Sequence, residues 1–302
     1  MKPYRLRVPV ACALFAFIAA IAVALPAHAA RVGVLSNNNA AATAADFAAR
    51  MPGHVFAGVD TSGVVPTLAS LQGSFDVLLV FEDGRFPNAT AVGDVAAAFA
   101  NAGRAVILGT FYDQDRSDSV NPALLVPSHG WGALETIDPN TTDGMGVRTD
   151  GTGLPNLSRV LNAGSIVAHP LTQGVTALSA VSGFAGGNQA KAGTVVLANW
   201  NEPNARGLPD PAIAFRVTGA ACVIQIGIAP DYAVGVGTGY GNFTGDFYQV
   251  WSNAFNFAAN SCGASGSKRI SIPTLSDGGL ALSALLIVAL AFSQRRRLFA
   301  DR

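Results

Sequence analysis

The chain has 302 residues, half of them hydrophobic, with 19 basic and 19 acidic side chains and a formal net charge of zero. The balance is uneven: residues 30–266 hold 10 Lys and Arg against 17 Asp and Glu, and the remaining basic residues sit near the two ends. An acidic body lacks the Lys/Arg surface that phosphate backbones require, which excludes nucleic acid as a partner.

The amino end reads Met1-Lys2-Pro3-Tyr4-Arg5-Leu6-Arg7, then an uncharged, largely apolar run from Val8 to Leu25, then Pro26-Ala27-His28-Ala29-Ala30. A basic start, an apolar centre and small residues at Ala27 and Ala29 make a secretory leader. The expected cut follows Ala29, with Ala30 as the first mature residue; the alternative is a membrane anchor that is never removed. Signal peptidase is the implied partner.

The body then alternates strand and helix. Strands are expected at 31–35, 54–59, 76–81 and 105–109. Helices are expected at 40–51, ended by Pro52-Gly53, at 66–71, and from a cap at Asn88 to Ala102, ended by Gly103. That alternation predicts an α/β fold with a parallel sheet flanked by helices. Residues 110–153 are rich in Asp, Asn, Pro and Gly and predict long loops with one short helix. Strands follow at 194–198, 212–217 and 221–228, the last two joined as a hairpin by Thr218-Gly219-Ala220. A final helix over 245–260 turns Phe247, Val250, Trp251, Ala254, Phe255 and Ala258 inward. Cys12 leaves with the leader; Cys222 and Cys262 remain and are expected to pair in an oxidising compartment.

The carboxyl end has three parts in order: Ile272-Pro273-Thr274-Leu275 between polar residues, an apolar run over 278–292, and the cluster Arg295-Arg296-Arg297. The run is about 22 Å long as a helix, short for a hydrocarbon core of about 30 Å. The arginines stay cytoplasmic, so residues before Ile272 lie outside. The expected organisation is a leader over 1–29, one α/β domain over 30–262, a linker over 263–271, and a tail over 272–302 containing the membrane segment.

The stretch IPTLSDGGLALSALLIVALAFSQRRR resembles the IPTL-CTERM sorting signal, a relative of the PEP-CTERM signals of Gram-negative bacteria. The resemblance implies an exosortase-type processing protease as a partner. It also implies an inner-membrane-anchored intermediate, then delivery to the cell envelope, the outer surface or the exterior. The body resembles the class I glutamine amidotransferase-like fold, a flavodoxin-like sheet, in its trehalose-utilisation (ThuA-like) branch. The likeness rests on Phe75–Val80 and Gly103–Gly109, on His169-Pro170-Leu171-Thr172-Gln173-Gly174, and on Gly219–Gly227 followed by Trp251–Phe255.

A catalytic amidotransferase of that fold needs a Cys nucleophile after the strand ending at Gly109. The residues there are Thr110-Phe111-Tyr112, so no catalytic residue is assigned. His129, His169 and Asp113 have no zinc-ligand spacing, His54 reads as structural, and the Asp113–Asp118 loop lacks the EF-hand pattern. No metal and no cofactor are expected. The loops at the carboxyl ends of the strands, 36–39, 82–86 and 110–116, are where a parallel sheet binds ligands. They hold Asn37, Glu82, Asp83, Arg85, Tyr112 and Asp113, groups that suit a hydroxyl-rich ligand. A further reading takes Trp131, Tyr240, Phe243, Tyr248 and Trp251 as partner-facing aromatics; helical spacing makes Trp251 core, which leaves the loop aromatics. The expectation is a non-catalytic module that binds an envelope polysaccharide or a matrix protein. The competing reading is a carbohydrate-active hydrolase using the loop carboxylates.

Overall fold

Consecutive apolar residues, rather than alternating ones, make the centre of the molecule, because its strands are covered on both faces. The computed structural model describes residues 29–83, 86–110, 130–134, 137–139, 158–181, 188–203, 207–234 and 243–262. In chain order the first half is β1 (Arg31–Ser36), α1 (Ala40–Arg50), β2 (Val55–Asp60), α2 (Leu68–Ser74), β3 (Val77–Val80), α3 (Ala89–Asn101) and β4 (Ala105–Gly109). Next come α4 (Trp131–Leu134), β5 (Ile137–Pro139), β6 (Ser158–Val160), β7 (Leu178–Val181), β8 (Asn188–Ala190) and β9 (Val195–Asn199). The last elements are β10 (Pro211–Thr218), β11 (Ala221–Ile226), β12 (Phe243–Gly245) and α5 (Phe247–Asn260).

Seven strands form one sheet in the order β2-β1-β3-β4-β11-β10-β9. The first five are mutually parallel, while β10 at the far side pairs antiparallel with both β11 and β9, so β9 runs in the direction of the first five. Side chains of successive strand residues point to opposite faces. Val77 and Leu79 therefore join one core with Phe47 of α1 and Trp251 and Phe255 of α5. Leu78 and Val80 join the other, with Leu71 of α2 and Phe99 of α3. The expected α/β architecture, a parallel-rich sheet with helices on both sides, is what forms.

Local signals act where the sequence carries them. The Asn88 side chain accepts Ala91 N–H (3.1 Å) and caps α3. Gly103 follows the helix at φ 83, a conformation glycine adopts without a Cβ penalty. His169 caps a short 3-10 turn, Pro170–Thr172, by accepting Leu171 N–H at Nδ1 (3.1 Å). All six inward residues expected of α5 are buried.

Two small sheets, β12-β7-β6 and β5-β8, are absent from the sequence expectation. Their strands are three or four residues long, too short to show a period. β5 also lies in the stretch expected to hold only loops and one short helix. Among the described residues no helix is long and apolar enough to cross a membrane. The expected span over 278–292, the motif Ile272–Leu275, Arg295–Arg297 and the leader before Ala29 all lie outside those residues.

Cys222 and Cys262 are disulfide-bonded, with Cα atoms 5.3 Å apart. The bond fastens β11 to the second residue past α5. Replacing both cysteines by alanine should lower unfolding stability by about 3–4 kcal/mol in urea titration, the loop-closure effect for a cross-link spanning 40 residues. Reducing the unmodified protein should produce a comparable shift.

Candidate binding site at the switch point of the sheet

From β1 the chain crosses outward to β2 and then back to β3 on the other side. Where the order reverses, the loops leaving two neighbouring parallel strands diverge and open a crevice at their carboxyl ends. Here those loops are Asn37–Asn39 after β1 and Phe81–Asp83 after β3. The segment after β11 reaches the same place.

Asparagines bind the loops together. Asn37 Nδ2 donates to the Asp83 carbonyl (2.8 Å), and Asn37 Oδ1 accepts Asp83 N–H (3.1 Å). Asn38 Nδ2 donates to Asp83 Oδ2 (3.0 Å). Asn39 Nδ2 donates to two carboxyl groups, Asp83 Oδ2 (2.9 Å) and Asp231 Oδ2 (3.1 Å).

Among the described residues Asn39 is the one non-glycine with positive φ, at 56°. Asparagine tolerates this left-handed region better than most residues. It is also the N-cap of α1, yet its side chain caps nothing there. A capping side chain ordinarily reaches its helix from the extended region and contributes about 1 kcal/mol. From the left-handed region the Asn39 amide serves the two aspartates instead.

Asp231 is fully buried, and its Oδ1 has no hydrogen-bond partner in the protein. Burial, reinforced by the charge of Asp83 and opposed by the Asn39 hydrogen bond, pushes its carboxyl from 3.8 to about 7. Burial also raises Asp83, against the Asn38 hydrogen bond. Asp231 arrives through the close packing of Pro230 on the end of β4. A Cβ at Gly109 would lie 2.8 Å from Pro230 Cδ and 3.3 Å from the Trp251 ring. Thr110, next after β4, is buried with an unpartnered hydroxyl. The carboxyl edge of the sheet thus holds a dense set of donors and acceptors; among the described residues Asp231 Oδ1, Thr110 Oγ1 and, after β2, Thr61 Oγ1 are buried oxygens unsatisfied by the protein.

Of the expected loop residues, Asp83 and Asn37 belong to this cluster. Glu82 is fully buried, and its Oε2 accepts Phe86 N–H (3.0 Å) within its own loop. Arg85, Tyr112, Asp113, His129 and Tyr240 lie outside the described residues. Trp131 is corrected from a partner-facing aromatic to core. It is 1% exposed, its Nε1 donates to the Ala89 carbonyl (2.9 Å), and it packs where Gly93 of α3 has no side chain. Phe243 stacks on Phe247 with centroids 4.3 Å apart. Tyr248 donates to Asp46 and lies under the Arg50 guanidinium. Asp231 escapes the sequence because Ala221–Ile228 reads there as half of a hairpin, not as a fifth parallel strand with a functional end.

A separate concavity of about 370 Å³ lies at the opposite end of α1, lined by Arg50, His54, Tyr248, Gln249, Ser252 and Asn256, among others. Several of its polar groups serve neighbours: Arg50 pairs with Asp46, and Gln249 donates to Asn253. Among the described residues no group of three or more His, Cys, Asp or Glu could hold a metal ion.

No family model matches the sequence, and no curated protein matches it. Among solved structures, that of Agd3, described as a novel carbohydrate deacetylase, aligns with a TM-score of 0.36 at 13% identity. The alignment covers 68% of this chain and 32% of that one, so the chain spans about a third of that protein's length. At that score the likeness carries no argument.

An acid whose pKa rises on folding binds more protons in the native state than in the unfolded one. For Asp231, stability should therefore fall as pH climbs from about 4 to about 7 and level off above. Asp231→Asn removes this contribution. The variant's thermal midpoint relative to wild type should rise across that window, by an amount worth a few kcal/mol at most. Parallel curves would show that Asp231 does not hold a proton on folding.

Proposed function

We propose that the chain is an exported envelope or surface protein whose body binds a hydroxyl-rich ligand at the switch point of its sheet, without turning it over. The export half of the reading rests on the leader before Ala30 and the IPTL-type tail. The body reading accords with the strand order β2-β1-β3-β4 followed by the parallel β11, the order of flavodoxin-like and class I amidotransferase-like sheets.

One observation carries the binding reading: the Asn39 amide nitrogen fills the gap between Asp83 and Asp231. Carboxyl pairs that cleave glycosidic bonds flank the scissile bond, one on each side. Here an asparagine occupies the space that such a substrate would need. Amides and carboxylates at fixed spacing suit the paired donors and acceptors of sugar hydroxyls. The ligand class is accordingly an envelope polysaccharide or a matrix component bearing one.

A second reading is favoured by the raised carboxyl of Asp231, which keeps a proton near neutrality as a general acid does. In that reading the body is a carbohydrate-active hydrolase.

Calorimetry against soluble oligosaccharides from Gram-negative envelopes distinguishes the two. Asn39→Ala and Asp83→Asn should each weaken binding about ten-fold or more, the effect of losing hydrogen bonds to a charged group. Glu82→Gln should change it little. Turnover by the wild type that Asp83→Asn or Asp231→Asn abolishes would establish the hydrolase; binding insensitive to Asn39→Ala would remove the site. Intact mass of protein from the envelope of a Gram-negative host should show loss of residues 1–29 and of the tail.

A further inference from the structure

Burial changes abruptly at the boundary where the leader should be cut. Ala29 is exposed, whereas Ala30 is 1% exposed. The Ala30 N–H donates to His54 Nδ1 (3.2 Å), and the Ala30 carbonyl accepts Val55 N–H (2.9 Å). These bonds start the β1–β2 ladder, whose first pair is Arg31 with Val55.

His54 is held firmly. It is 8% exposed, its backbone N–H donates to the Met51 carbonyl (3.1 Å), and its ring meets Phe56 and Phe255 edge-on. A ring whose Nδ1 accepts a hydrogen bond is a neutral imidazole with its hydrogen on Nε2. Burial favours that form by lowering the imidazole pKa, against a hydrogen bond to Asn256.

We propose that hydrolysis between Ala29 and Ala30 gives the exported chain a new amino terminus that docks on His54 and pins the first residue of β1 in the core. This rests on the reading of the protein as leader-bearing. In the step, the signal peptidase adds water across the peptide bond. Ala29 leaves on the leader as a carboxylate, and the Ala30 nitrogen becomes an ammonium.

One ammonium hydrogen keeps the direction of the former amide hydrogen, toward Nδ1. The others occupy the directions left by the broken bond to Ala29. A neutral amide–imidazole bond thereby becomes a charge-assisted one, which is shorter and stronger. The position of the cut matters to the residue. One residue further on, hydrolysis would delete both the donor to His54 and the acceptor for Val55.

The test uses the full chain expressed with its leader in a Gram-negative host and recovered after export. N-terminal sequencing should read Ala30 first. Acylation of the α-amine, followed by mass spectrometry of the N-terminal peptide, should run about ten-fold slower in the folded protein than in urea, as for a group freed only by local opening. His54→Ala should restore the fast rate. His54→Asn, which keeps an acceptor oxygen near the Nδ1 position, should stay slow. If His54→Ala does not fold, the comparison of wild type with His54→Asn, each folded and in urea, decides. A first residue other than Ala30 overturns the proposal together with the cleavage assignment. Ala30 first, with an amine equally reactive folded and unfolded, overturns the docking alone and leaves export standing.

Discussion

Four neighbouring strands, β1, β3, β4 and β11, are buried on both faces along nearly their whole length. A strand in that position cannot carry polar side chains on either face without desolvating them. Helices must cover both sides, and the chemistry of the strands is pushed to their ends. Gln225 is the polar residue within these strands that stays almost fully buried beyond the terminal positions, and it too has partners. The site at the carboxyl edge follows from this exclusion as much as from any local motif.

Within that edge the Asn39 amide is the joint. It connects loops from three strands through two carboxyl groups, and it does so at the expense of a helix cap and a relaxed backbone. Departures of that kind persist where the surroundings over-determine them, and they collect at sites rather than in plain scaffold. The other end of the sheet shows the contrast. Asp76 accepts from both Arg31 and Arg104, whose bonds and charges outweigh burial and hold its carboxyl below the ordinary range. There every charge is answered, and the cluster is scaffold.

Much of this was legible in the residues. Asn88 and Gly103 mark the ends of α3 because a cap and a left-handed stop are local properties of single side chains. The α5 stripe was readable because one face meets one core. The hairpin between β10 and β11 follows from Gly219 at φ 60 in its turn. The small sheets were not readable, since three residues display no period and their pairing is decided by distant partners. For the same reason Asp83 could be anticipated and Asp231 could not. The first follows an obvious parallel strand, while the second depends on β11 inserting beside β4 after a long excursion of the chain. Trp131 misleads because aromatic residues in a Gly-rich stretch look exposed, and only the missing side chain of Gly93 opens the slot that buries it.

The cystine between β11 and Cys262 has a mechanical side. Tension applied to the chain beyond Cys262 does not reach the last turn of α5 first; it enters through the sulfur bridge into β11. That strand lies between β4 and β10, so the load is shared along two ladders of hydrogen bonds. Without the bridge the same pull would unwind α5 turn by turn from its carboxyl end, a process of low resistance. Thiol chemistry therefore decides whether a pull beyond Cys262 falls on α5 or on β11.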